Sequence, residues 1–106
     1  MIKNLNQLKR TLRPGTRMEV TGHCRPGCIG QLREITLANT QGVYTKILNP
    51  PDSRINAAND GRGSMMWWGA ASTWSFENGV CSSYMNQIKS EETLIIAFRV
   101  LEKEIA

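Results

Sequence analysis

The chain has 106 residues, 41% hydrophobic and 21% charged, which is the composition of one globular domain and excludes a disordered or low-complexity scaffold. No apolar run approaches the roughly 18 residues that a bilayer span requires, and Met1 to Gln7 lacks the apolar stretch of a secretion signal, so a cytoplasmic protein is expected. The net charge of +4 is unevenly spread: residues 1–54 hold nine Lys and Arg against Glu19, Glu34 and Asp52, residues 55–106 hold four against six acids, and one basic surface for nucleic acid or an acidic protein partner is expected.

The spacing of Ile2, Leu5, Leu8 and Leu12 predicts an amphipathic helix over 2–12, ended by Pro14-Gly15. A helix this short is marginal alone in water, so its leucines must dock, and the expected dock is a sheet. From Arg17 to Thr21 polar and apolar residues alternate, as in a half-buried strand. Gly22 to Cys28 reads as a loop. Residues 29–38 mix helical and strand spacings and read as a strand with a bulge near residue 33. Asn39 to Gly42 is a turn, and Val43 to Leu48 the next strand.

The stretch from Asn49 to Ser64 has little periodicity and reads as a long loop. Structureless loops beyond about 12–15 residues are usually functional or disordered. Within it, Asn59-Asp60-Gly61-Arg62-Gly63 has glycines that would let backbone amides and Arg62 approach a phosphate or carboxylate, although the Gly-Lys-Ser/Thr ending of a P-loop is missing. Alternation then admits only one of Trp67 and Trp68 to the core of a single sheet. The other is left for base stacking or a protein partner, or else lies under the helix.

Asn78-Gly79 is the preferred pair for a two-residue type I′ turn. It pairs Glu77 with Val80, Phe76 with Cys81 and Trp74 with Ser83, placing Trp74, Phe76, Cys81 and Ser83 on one face. Leu94 to Leu101 reads as a buried strand with Leu94, Ile96, Phe98 and Val100 on one face. One helix and several short strands predict a mainly β fold: a single domain over 1–106, with strands within 17–48 and 65–101 forming a small antiparallel barrel capped by the helix.

The segments Ala38-Asn39-Thr40-Gln41-Gly42-Val43-Tyr44-Thr45-Lys46-Ile47 and Trp74-Ser75-Phe76-Glu77-Asn78-Gly79-Val80 resemble small SH3-like proteins of phages and integrated mobile elements of Gram-positive bacteria. The resemblance implies a compact SH3-like barrel and a mobile-element origin, and supplies no catalytic residues. It also introduces an alternative role, phage counter-defence, in which a host nuclease is inhibited by protein–protein contact in the manner of anti-CRISPR proteins.

Cys24, Cys28 and Cys81 cannot all pair with one another and read as reduced thiols. With His23 they match the Cys3His composition of a structural zinc site, but His23 adjoins Cys24, no Cys-x-x-Cys pair is present, and the hairpin register sets Cys81 beside Phe76 and Trp74. No metal or cofactor is expected. A cysteine nucleophile with His23 as base lacks a third orienting group, and neither Asp52, Asp60 nor Glu91-Glu92 reads as an acid–base pair, so no enzyme is expected. The expected function is non-enzymatic binding of nucleic acid, or of a complex that handles it, by Lys9, Arg10, Arg13, Arg25, Arg54, Arg62 and one of Trp67 or Trp68, with no membrane partner.

Overall fold

In the computed structural model, which describes residues 1–101, Asn4 sets where the N-terminal helix begins. Its side chain accepts the Gln7 N–H at 2.9 Å, and Gln7 Oε1 in turn accepts the Lys3 N–H at 2.7 Å. This reciprocal cap starts α1 at Leu5, so the helix spans Leu5–Thr11 rather than 2–12. Ile2 lies outside α1 yet packs on the cluster that Leu5, Leu8 and Leu12 enter. Positions 102–106 of the single-domain reading lie outside the described residues.

Among the described residues seven strands form, β1 (Arg17–His23), β2 (Leu32–Ala38), β3 (Gly42–Asn49), β4 (Ser64–Trp67), β5 (Trp74–Glu77), β6 (Val80–Tyr84) and β7 (Leu94–Leu101). They form one antiparallel sheet in the order β4-β3-β2-β1-β7-β6-β5. The pairing of β1 with β7 joins the early and late strands, and the Cα radius of gyration of 13.0 Å matches the roughly 13 Å of a compact domain this long.

The hairpin register is the one the Asn-Gly turn predicts: Trp74 faces Ser83, Phe76 faces Cys81 and Glu77 faces Val80. Asn78 and Gly79 have φ of 53° and 76°, the positive values that such a turn demands. In β2 the pairing with β3 slips between Leu32 and Arg33, where the bulge is expected, and again between Ile35 and Leu37.

The sheet rolls around its apolar face but does not close into a barrel. Its end strands approach where the Trp74 indole N–H donates to the Trp68 carbonyl at 2.6 Å, yet β4 and β5 make no ladder. The backbone around the junction is committed elsewhere: Trp68 N–H bonds Gln41 O, and the turn at Ala71–Thr73 closes on itself through Thr73 N–H to Ala70 O. Inside the roll, Met18, Val20, Ile35, Val43, Met66, Cys81, Ile96 and Phe98 join the three helix leucines, Trp68 and Trp74 in one buried cluster. Trp74 stacks on Phe76 with ring centroids 5.8 Å apart and meets Phe98 edge-on at 6.2 Å.

The stretch from Asn49 to Ser64 is not a structureless loop. Asp52 caps a single-turn helix, α2 (Ser53–Asn56), accepting the Arg54 and Ile55 N–H groups at 3.1 and 3.0 Å. A tight turn at Ala58–Gly61 follows, with Asn59 and Asp60 at positive φ. Asn56 clamps β3 through both amide atoms, Nδ2 to Ile47 O at 2.9 Å and Oδ1 from Ile47 N–H at 2.7 Å. These bonds come from single Asp and Asn side chains, which leave no trace in hydrophobic periodicity.

Candidate functional site

The basic residues marked in the sequence are dispersed rather than gathered. Lys9 sits with its Nζ 5.8 Å above the Trp68 ring, and with Arg13, Asn39 and Thr40 it lines a groove of about 450 Å³ beside α1. Arg10 faces a different groove, of about 780 Å³, shared with Ile2, Gly79, Arg99 and Val100. Arg54 lies on α2, and Arg62 exposes its side chain while Thr36 Oγ1 holds its carbonyl at 2.6 Å. Arg25 follows β1 and donates its backbone N–H to His23 Nδ1 at 2.9 Å.

The tryptophans divide as alternation requires. Trp68 is 4% exposed, with its indole N–H bonded to Asn39 O at 2.8 Å, so it belongs to the core. Trp67 is 61% exposed and is the one that offers a ring to solvent.

Trp67 stands at a cavity of about 130 Å³ whose other walls are His23, Arg33, Ser83, Ile95, Ile96 and the rest of β4. Local structure explains how polar groups come to line an otherwise apolar roll. Alternation along β2 sets Arg33 on the inward face, two residues before Ile35 and opposite Met18 of β1. Alternation along β6 turns Ser83 inward after Cys81. β1 ends at His23, opposite Ile96 of β7.

Arg33 and Ser83 are each only 5% exposed. The Arg33 guanidinium gives Nε and Nη2 to one acceptor, Gln31 Oε1, at 3.0 and 2.7 Å. Among the described residues the ion pair present joins Arg17 to Glu34 at 3.2 Å, and no carboxylate balances Arg33. Burial lowers the Arg33 pKa, while the neighbouring Cys28 thiol acts in the opposite direction, and a guanidinium keeps its charge through such shifts.

His23 is pushed below the usual imidazole value, by burial first and then by Arg33 and Arg25. It is therefore neutral at pH 7. Since Nδ1 accepts the Arg25 N–H, the ring proton sits on Nε2. The cavity thus carries hydrogen-bond donors and one uncompensated positive charge.

The three thiols are free. Cys24 is exposed with its sulfur 3.6 Å from His23 Nδ1, Cys28 is half-buried, and Cys81 lies in the core, where burial pushes its pKa up to about 11. Among the described residues no three His, Cys, Asp or Glu side chains converge to hold a metal ion. No helix among them is long and apolar enough to cross a membrane.

Sequence reasoning missed Arg33 and placed Ser83 on the inward face without assigning it a role. The available signal was the run Gln31-x-Arg33-x-Ile35, which puts polar side chains on the face of a strand that otherwise points to the core. Set against known protein families, curated proteins and solved structures, the chain matches none.

Proposed function

We propose that the protein is a small, non-enzymatic binding protein of the cytoplasm, with an SH3-like roll of phage or mobile-element origin, whose ligand is single-stranded nucleic acid. The observation that carries this reading is Trp67, a ring 61% exposed at the mouth of a cavity lined by Arg33 and His23. An unpaired base stacks on an exposed indole, a contact worth about 1–3 kcal/mol per base, while cationic side chains follow the phosphates. Arg25 adjoins this mouth through His23, and Lys9, Arg10, Arg13, Arg54 and Arg62 supply positive charge around the rest of the surface.

The test is titration of fluorescently labelled single strands and duplexes across a salt series. With about four phosphate contacts the log–log slope on single strands is near −3. Trp67→Ala weakens single-strand binding about tenfold or more and duplex binding far less. Dissociation constants weaker than about 100 μM for every nucleic acid at about 0.1 M salt remove the reading.

A second reading, inhibition of a host nuclease by protein contact in the anti-CRISPR manner, draws on Ile95, which is 38% exposed at the same cavity as Trp67. An aromatic and an aliphatic side chain flanked by arginine is the composition of a protein hot spot. Capture of a partner that survives nuclease treatment and fails with Trp67→Ala favours this second reading.

A further inference from the structure

We infer that the cavity between β4 and the β6–β7 strands is a binding site for a phosphate group, held by Arg33 with Ser83 and His23. Two polar side chains that are each about nineteen-twentieths buried open into it. With Nε and one Nη2 hydrogen committed to Gln31 and the Cys28 thiol beside the guanidinium, at least two of its five donors remain. Apart from the Cys28 thiol beside the guanidinium, no described residue takes up the remaining Arg33 donors or Ser83 Oγ, yet none of the buried side-chain nitrogens and oxygens among those residues is both sealed and unpartnered. These groups therefore keep access to open space, and both residues line this cavity.

The chemistry of the lining selects the ligand. Arg33 and neutral His23 are donors there, Ser83 can donate, and the charge of Arg33 has no acidic partner among the described residues. Charges removed from water are ordinarily paired, and an uncompensated guanidinium in a low-dielectric cavity favours an anion strongly. A phosphate offers several acceptor oxygens and up to two negative charges to donors from three strands, and Arg–phosphate bonds are among the strong charge-assisted ones. A volume of about 130 Å³ has room for such a group with water around it. The titratable groups beside His23 are Arg25, Arg33 and Cys24, with Cys28 beside Arg33, so a bound dianion offsets the two arginines and draws a proton onto the ring.

The inference is separable from nucleic-acid binding, because the same cavity accepts free phosphate or the terminal phosphate of a strand. The experiment measures melting temperature and calorimetric binding with inorganic phosphate against chloride at matched ionic strength. The pKa of His23 is followed by NMR in both salts. Phosphate is expected to raise the melting temperature and the His23 pKa; Arg33→Gln should weaken phosphate binding about tenfold or more, and Ser83→Ala by a smaller factor. Ser83→Ala changes one oxygen, so it keeps the test valid if Arg33→Gln does not fold. No difference between phosphate and chloride, or phosphate binding unchanged by Ser83→Ala together with an unmoved His23 pKa, overturns the site. A 5′-phosphorylated oligonucleotide against its 5′-hydroxyl counterpart then distinguishes the sources. Tighter binding of the phosphorylated strand places a strand terminus in the cavity, and equal binding assigns the cavity to free phosphate. Loss of all oligonucleotide binding with phosphate binding intact removes the nucleic-acid reading and leaves this one standing.

Discussion

The helix leucines Leu5, Leu8 and Leu12 share one apolar cluster with Trp74 and Phe98, whereas the interior beside His23 holds Arg33, Gln31 and Ser83. Both regions are walled by the same sheet, and both are withdrawn from water. In the first, burial of apolar surface supplies the driving force for folding. In the second, Arg33 has been dehydrated without a carboxylate partner, which works against folding. A chain selected only for stability would fill both regions alike, and the contrast is what the proposed phosphate site requires.

The largest effect expected from breaking this contrast is at Phe98, fully buried against Trp74. Phe98→Ala should lower unfolding free energy by about 3–5 kcal/mol in urea titration. If the loss were under about 1 kcal/mol, Phe98 would not be a packed core residue. At the polar end the sign should reverse. Arg33→Met together with Gln31→Leu removes the unpaired charge and the acceptor it serves, so stability should hold or rise by about 1–4 kcal/mol. A marked loss on the same titration would mean that Arg33 serves the fold rather than a ligand.

Gly79→Ala tests the hairpin that carries Ser83 and Cys81. An added Cβ would meet only Arg99 Nη1, at an ordinary 3.5 Å, so the penalty is conformational. It should be about 1–2 kcal/mol, read from the shift of the urea midpoint, and an unchanged midpoint would count against the positive φ of 76°.

The smallest effect is the pH response of His23. Its folded pKa lies below the unfolded value near 6.5, so the unfolded chain binds the proton more readily. Stability in a non-binding buffer should be full above about pH 6.5 and decline as pH falls toward the folded pKa. His23→Gln should flatten that part of the profile. A profile identical in the two proteins would remove His23 as its source.

The same contrast explains what was legible in the sequence. Asn78-Gly79 specified the hairpin register to the residue because its turn geometry leaves no alternative, and the spacing of Leu5, Leu8 and Leu12 announced the docking face of α1. Trp67 and Trp68 separated by alternation. Arg33's place in the candidate site was not read from the sequence, because charge was counted by halves of the chain and not by the face each residue occupies. Arg33 entered the basic half as one more surface cation, although it alternates with Gln31 and Ile35 on one buried face. The closure of the sheet was misread for a related reason: whether two end strands pair depends on where the backbone of Trp68 and Thr73 spends its donors, which no residue pattern reports.

Asn56 has a consequence for the protein at high concentration. β4 stops covering β3 at the pairing of Thr45 with Ser64, which would leave the Ile47 N–H and carbonyl as an open template for another chain. The Asn56 amide bonds both groups, as one residue of an added strand would. A single side chain thereby ends the propagation of the sheet, and it guards one of the two longest strands among the described residues against the edge-to-edge pairing from which aggregates grow.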